Sequence, residues 1–506
     1  MPDAIAIAPS ASAAPPAAPD VPAAAGLAAA AAPAGRAAAI ADACRSFDDG
    51  SLFATIARRV AIPTESQDPQ RAPDMRRYLD DEMIPALQAL GFSCRVLEHP
   101  KALAPFLVAE RREGEGLPTV LGYGHGDVIR GQDDRWREGL SPWRLSERDG
   151  LWFGRGVVDN KGQHSINLEA MRAVIAARGG RLGFNARWLI EMGEETGSGG
   201  LRELCEAHAD LLRADVLIAS DGPRIARRRP TLFLGSRGGL GFDLTVECRE
   251  GAHHSGNWGG LISNPGVILA HAIAAIVGPT GQIRVPGWVP ESIPPSVREA
   301  VGRLAFEPGP GDPEIEPWWG EPGLTPAERV FAWCSCEVLA FETGNPRQPV
   351  NAIPPRAWAR MQLRYVVGVD PDTLLAKLRV FLDRQGLSMV RIAPSRENMF
   401  RASRIDPAHP WVQWAAGSVR DTTGVEPAIL PSLGGSLPND VFTEVLRLPT
   451  IWVPHGYPAS ANHAPNENVP AELVREALAI MSGLYWDLGE AAARELAAHP
   501  VPIDTR

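Results

Sequence analysis

Residues 119–131 read TVLGYGHGDVIRG, an apolar strand that closes on a histidine and an acid, His125 and Asp127. Two more apolar runs of this kind follow, ARWLIEM at 186–192 and ADVLIAS at 214–220. Between the first two lies KGQHSINLEAMRAVIAARGG, in which Ile166, Ala170, Met171, Val174 and Ile175 recur at helical spacing until Gly179 ends the run. Short buried strands alternating with helices predict an α/β domain, its sheet mostly parallel and covered by helices on both faces.

The pattern changes after residue 231. GFDLTVECR (241–249) alternates Phe242, Leu244, Val246 and Cys248 with polar residues. WARMQLRYV (358–366) sets Ala359, Met361, Leu363 and Tyr365 against Arg360, Gln362 and Arg364. A period of two marks strands buried on one face only. Each is followed by a helical pattern, NPGVILAHAIAAIV and DPDTLLAKLRVFLDRQG. The expectation is a small α+β unit whose sheet carries helices on one face and leaves a polar face free. From about residue 402 the first style returns, with HPWVQWAAGSVRDTTG and LPTIWVP. The expected organisation is a leader (1–43), a catalytic domain in two parts (44–231 and 402–490), an inserted domain between them (232–401) and a C-terminal tail (491–506). The segment 278–345, rich in Pro, Gly and Trp, fits neither style.

A chain of 506 residues is too long for one ordinary core, which supports two domains. Hydrophobic content of 45% and charged content of 22% are those of a soluble globular protein. A net charge of −10 argues against a nucleic-acid partner, because phosphate binding needs a basic surface. No run of strongly apolar residues is long enough to cross a membrane. The six cysteines are scattered, and Cys334 and Cys336 in FAWCSCEV lack the spacing of a structural zinc knot. Reduced thiols in a cytoplasmic protein are expected. The Ala/Pro-rich start has no basic residue before Arg36, unlike a secretory signal, and reads as a disordered leader or a misplaced start codon.

In open α/β sheets ligands bind at the carboxyl ends of strands. ARWLIEM runs into GEETGSGG and delivers Glu194 and Glu195; ADVLIAS ends at Asp221. GRGVVDNKGQ sets Asp159 just before a helix, and LPTIWVP leads to His455 and then to His463 in ANHAPNE. Taken singly, each has an ordinary reading. An HxD pair suits a polar loop, a Glu pair a solvated first helical turn, and Asp159-Asn160 an N-cap. Their coincidence at strand exits suggests another. Histidines with carboxylates and no thiolate suit paired divalent cations such as zinc or manganese, which share a bridging carboxylate. Of the two glutamates, one can bind metal while the other serves as general base. Asp127 is placed to orient His125.

The ordered set GHGDV, GRGVVDNKG, GEETGSGG, SDG, HHSGNWGGLISNP, GGSLP and HAPNE resembles the carnosinase-like metallopeptidases of the di-zinc aminoacylase/desuccinylase family, over most of residues 45–490. The resemblance implies a di-zinc exopeptidase-like fold interrupted by a ferredoxin-like lid that also dimerises. It implies that His125 and Asp221 hold one cation, Glu195 and His463 the other, and Asp159 both. The cations would be zinc, with manganese or cobalt as alternatives. Glu194 would be the general base and Asp127 would position His125. His254, rather than its neighbour His253, would reach the partner subunit's active site in a homodimer. Arg364, with Gly435 and Ser436, would hold the substrate's carboxylate. His455 is the rival to His463. The implied reaction is amide hydrolysis of a dipeptide or short peptide; an N-acyl amino acid deacylase and a silent metal-bound binding protein are the alternatives. The text around the last histidine departs from the family's pattern, and 278–345 has no counterpart in it.

Overall fold

The computed structural model describes residues 35–306, 313–395 and 400–503. In chain order its principal elements begin with helix α1 (Arg36–Asp48) and strands β1 (Ser93–Leu97), β2 (Phe106–Arg111) and β3 (Thr119–His125). Helix α2 (Lys161–Ala177), β4 (Asn185–Glu191), α3 (Leu201–Ala207), β5 (Val216–Ala219) and β6 (Thr231–Phe233) come next. A second group comprises β7 (Gly238–Glu247), α4 (Pro265–Ile276), β8 (Ser335–Thr343), β9 (Arg356–Tyr365), α5 (Leu374–Arg384) and β10 (Arg391–Pro394). The chain then adds α6 (Pro410–Thr423), β11 (Ala428–Leu430), β12 (Thr450–Trp452) and α7 (Ala471–Leu488).

The large sheet has eight strands in the order β1-β2-β4-β3-β5-β12-β6-β11. Its centre, β4-β3-β5-β12, is parallel, as is the β6–β11 pair; β1, β2 and the β12–β6 contact are antiparallel. Successive side chains on a strand point to opposite faces. Val120, Ile190 and Ile218 therefore enter a core with Ala39 of α1, Met171 of α2, Ala415 of α6 and Leu478 of α7. Leu121, Leu189 and Leu217 enter a second core with Leu204 of α3. Fully burying one such side chain stabilises by roughly 1.5–3 kcal/mol, so the two-sided apolar runs hold the sheet at the centre of the domain. Both faces are covered, as the near-continuous apolar strands require.

The smaller unit is a βαββαβ arrangement, its four antiparallel strands ordered β8-β9-β7-β10. The alternation read in the sequence is the burial pattern of β9, where Met361 and Leu363 are buried while Arg360, Gln362 and Arg364 stay partly exposed. Phe242, Leu244 and Val246 of β7 join them, packed against Leu269 of α4 and Leu378 of α5.

Three expectations on chain organisation are corrected. The leader, placed at 1–43, lies up to residue 34 outside the described residues, but Arg36–Asp48 is helix α1. Alanine is the strongest helix former, Ala39 and Ala43 are fully buried, and Arg36 pairs with Asp487 at 2.9 Å. The tail placed at 491–506 includes helix Ala491–Ala498, held by buried Ala493. Part of the segment 278–345 does not share the core of the smaller unit. Val297, Val301, Ala327 and Phe331 pack instead on the large sheet's second core, with Leu430, Leu433 and Trp452. No helix among the described residues is long and apolar enough to cross a membrane.

Candidate metal centre

His125 is the last residue of β3, and its register partner Glu191 ends β4. The loops leaving parallel β3, β4 and β5 thus carry Asp127, Glu194-Glu195 and Asp221 to one edge of the sheet. Asp159 comes from the loop before α2, and His463 from the loop before α7. A short antiparallel ribbon, Leu151–Phe153 with Asn468–Pro470, ties those two loops together.

The side chains converge in two groups, His125–Asp159–Asp221 and Asp159–Glu195–His463, which share Asp159. His125 Nε2 lies 3.1 Å from Asp159 Oδ1 and 3.5 Å from Asp221 Oδ2. His463 Nε2 lies 3.1 Å from Asp159 Oδ2 and 3.0 Å from Glu195 Oε2. Asp159 is not the side-chain cap of α2, whose first turn has none; the peptide joining it to Asn160 is cis. His125 Nε2 and Asp221 Oδ2 are buried and find no hydrogen-bond partner among the described residues. Buried polar atoms are rarely left so. Orphaned nitrogen and oxygen donors around a shared carboxylate fit divalent cations of the zinc or manganese type.

The electrostatics have the same form. Burial alone would pull the His125 imidazole down, but Asp127, Asp159 and Asp221 outweigh it and hold the ring well above its ordinary value. Hydrogen bonds to Asp159 and Glu195 raise His463 to about 11. Burial, then the charge of Asp159, pushes Glu195 up to about 7. Burial also pushes Glu194 well up, reinforced by Glu195, Asp221 and Asp159. Crowded carboxylates of this kind repel one another unless cations lie among them.

Asp127 is fully buried, with its Oδ1 3.4 Å from His125 Nδ1. Its two oxygens also accept from the backbone N–H groups of Glu194 and Glu195, each at 3.2 Å. One carboxylate thus fixes a ligand and the turn bearing the adjacent glutamates. The rival His455 is buried and belongs to neither group; its Nε2 lies 3.0 Å from Ser220 Oγ. Burial, with Arg224 nearby, holds it well below its ordinary value.

Arg364 Nη1 donates to Ser436 Oγ at 2.6 Å, beside Gly435. His254 is exposed; its Nδ1 accepts from the Gly256 N–H at 3.1 Å, and it makes no hydrogen bond or ion pair with the cluster. His253 lies near Trp258, ring centres 5.7 Å apart.

Two residues escaped the sequence reading. Glu467, the last letter of the HAPNE motif, is fully buried. Its Oε2 accepts from Arg155 Nη1 at 2.9 Å and Gly156 N at 3.0 Å, and its Oε1 from Val158 N at 2.9 Å and Asp159 N at 3.1 Å. Arg155 in turn donates to the Ala464 carbonyl at 2.9 Å. The pair clamps the Asp159 loop to the His463 loop, where Ala461, His463 and Asn466 hold left-handed φ of 55°, 60° and 66°. Such residues cost on the order of 1–3 kcal/mol each and persist only where their surroundings fix them.

The second is Arg237. It is buried, donates to the Gly434 carbonyl at 2.8 Å, and its own carbonyl accepts from Ser436 Oγ at 2.7 Å. Burial, then the like charge of Arg364, lowers Arg237 to about 10. Neither arginine has a carboxylate within ion-pair distance among the described residues. Two neighbouring arginines thus meet at the Gly434–Ser436 loop with no carboxylate partner there.

Residues 121–487 match the model of Peptidase family M20/M25/M40. The chain belongs to that family. Among relatives of this M20/M25/M40 peptidase, the cysteinylglycine-S-conjugate dipeptidase of Corynebacterium striatum is 28% identical over 399 residues, 78% of this chain and 86% of that one. The Beta-Ala-His dipeptidase of Homo sapiens is 27% identical over 445 residues, 82% and 85% of the two chains. The M20 family metallo-carboxypeptidase Sso-CP2 of Sulfolobus solfataricus shares the fold at a TM-score of 0.74 and 22% identity, over 87% of this chain and 99% of its own. Human carnosine dipeptidase 1 does so at 0.71 and 22%, over 89% and 99%.

Proposed function

We propose that this peptidase hydrolyses dipeptides or short peptides with a free carboxylate, using two divalent cations, zinc first among them. The observation that carries the reading is the pair of three-ligand groups sharing Asp159, with Glu194 buried beside them. His125, Asp159 and Asp221 would hold one cation, and Asp159, Glu195 and His463 the other. When bound, the cations supply Lewis acidity to the scissile carbonyl and a lowered pKa to water. Glu194, adjacent to a ligand but outside both groups, takes the proton of the attacking water and returns it to the leaving amine. Arg364 and Ser436 hold the substrate's carboxylate, and Arg237 adds a second positive charge. The presence of dipeptidases among the relatives supports a dipeptide over an N-acyl amino acid.

A homodimer through the smaller unit belongs to the same reading. Strand β8 is an edge strand whose Val338, Leu339 and Phe341 are exposed by 44%, 56% and 44%. An apolar edge is a pairing surface. His254, exposed and with no hydrogen bond or ion pair to its own chain's cluster, would serve the partner's site by polarising the scissile carbonyl. The six cysteines are all unpaired, which fits a reducing cytoplasm.

The test is a panel of dipeptides against acetyl- and succinyl-amino acids, run on native protein and Glu194→Gln with metal content measured. Native turnover of dipeptides, lost by 100-fold or more at unchanged metal content in the variant, is expected for removal of a general base, worth about 10²–10⁴. Equal turnover by both proteins would remove Glu194 from its role, and preference for acylated amino acids would make the chain a deacylase.

A further inference from the structure

A mostly apolar cavity of about 740 Å³ is lined by residues from the loops that carry Asp221, Ser436 and His463. Its rim includes Pro223, two residues after Asp221; Gly435, next to Ser436; and Asn462, next to His463. Successive Cα atoms are 3.8 Å apart, so three points of the rim are fixed within one or two residues of three groups of the site. The cavity's rim therefore adjoins the loops that carry two of the cation ligands, Asp221 and His463, and Ser436.

Its lining is mostly apolar, with Arg224 and Glu314 as its charged members. Leu430 and Leu433 come from the large sheet and the loop after it, while Val330 and Phe331 come from the segment that had no place in the sequence reading. These last two end the helix Pro326–Phe331, which starts with a capping box between Thr325 and Glu328. Glu328 also pairs with Arg298 at 2.7 Å. Arg224, a charged residue of the lining, is engaged by Glu476 and by the Pro454 carbonyl. The wall is thus built and braced, and it offers apolar contact at a volume typical of small-molecule sites, about 300–1,000 Å³.

We infer that this cavity receives a bulky apolar side chain, leucine- or phenylalanine-like, from the C-terminal residue of the substrate. The inference rests on the dipeptidase reading. With the scissile carbonyl at the cations and the free carboxylate at Arg364 and Ser436, the C-terminal residue joins the two, and the cavity's rim runs through the loops next to both. The 278–345 segment then acts as the specificity element of the site by supplying Val330 and Phe331.

The experiment measures kcat/KM of the metal-loaded full-length protein on Ala-Gly, Ala-Leu and Ala-Phe, and on Gly-Ala, Leu-Ala and Phe-Ala. Apolar pockets discriminate by roughly 10–200-fold per missing group, so Ala-Leu and Ala-Phe should exceed Ala-Gly by tenfold or more, with a smaller spread in the second series. Val330→Trp, which fills the cavity, should lower the Ala-Leu to Ala-Gly ratio at least tenfold. Equal rates on Ala-Gly and Ala-Leu, or a preference that follows the N-terminal residue, overturn the assignment on native protein alone, whether or not the variant folds. Turnover without the preference sinks the cavity's role and leaves the dipeptidase reading standing; no turnover of any dipeptide sinks both.

Discussion

Replacing Glu467 by Gln tests whether the metal centre depends on the clamp beneath it. The substitution keeps the shape of the side chain but turns one acceptor oxygen into a donor. Four donors now converge on the carboxylate: Arg155 Nη1 and the N–H groups of Gly156, Val158 and Asp159. In the variant some of these face an NH2, and Arg155, itself 1% exposed, loses its counter-charge. Breaking a buried ion pair from one side costs about 3–5 kcal/mol, largely from the stranded charge. Unfolding entropy near 2.1 cal/mol/K per residue makes a chain of this length lose roughly 1 °C of Tm per kcal/mol, so a fall of about 3–5 °C is expected in metal-free protein. The more telling quantity is cation affinity. Loss of a group that holds ligands in place weakens metal binding about 10–100-fold, and Glu467 fixes the backbone of Asp159 while Arg155 fixes the loop of His463. Competition for zinc against a chromogenic chelator measures it. A Tm loss with zinc affinity unchanged would show that the clamp serves the fold alone, and the reasoning about the two loops would be refuted.

Asp127→Asn should also weaken zinc binding about tenfold or more, since a donor would then face the Glu194 or Glu195 N–H; chelator competition with affinity unchanged would contradict its positioning role. Arg237→Gln should raise KM for free-carboxylate dipeptides about tenfold, with partial recovery in Arg237→Lys and little effect on amidated substrates; equal losses on both substrate types would argue for a purely structural arginine. Burial and then Asp127 push Glu191 up to about 7 from 4.5. Between those values the folded chain keeps a proton that the unfolded chain has released, so this contribution to stability is full below pH 4.5 and lost as pH rises through 7, on the order of 3 kcal/mol. Glu191→Gln in metal-free protein should therefore gain Tm relative to native between pH 5 and pH 8, and parallel Tm profiles would contradict it. Phe341→Glu should convert a dimer to monomer in analytical ultracentrifugation; a variant still dimeric would move the interface off strand β8.

What could be read beforehand follows the range of the forces involved. Period-two alternation in 358–366 and two-sided apolar runs at 119–124 and 214–220 are local, and they mark which faces are buried. Because parallel strands end at the same edge of a sheet, acids and histidines at strand exits could be expected to meet. The choice between His455 and His463 is different, since both follow β12 and only the packing of the 461–467 loop separates them. Glu467 and Arg237 were illegible for a similar reason: each acts through backbone groups distant in sequence, and no spacing announces that. Arg36–Asp48 was hidden by composition, as alanine serves both a structureless leader and a helix until a partner such as Asp487 is seen. The wall formed by Val330 and Phe331 had no periodicity to reveal it.

The position of β12 inside the large sheet bears on how the protein is made. This strand lies between β5 and β6, although residues 234–449 separate it from β6 in the chain. During synthesis the first-made strands therefore wait with a gap in their hydrogen-bonded row, and with exposed edges on β5 and β6. His463 emerges later still, so the nascent chain can present His125, Asp159 and Asp221 long before the second ligand group exists. Completion of the proposed metal centre is in this way coupled to closure of the sheet, and a ribosome stalled before residue 450 leaves a chain with only one of the two proposed ligand groups.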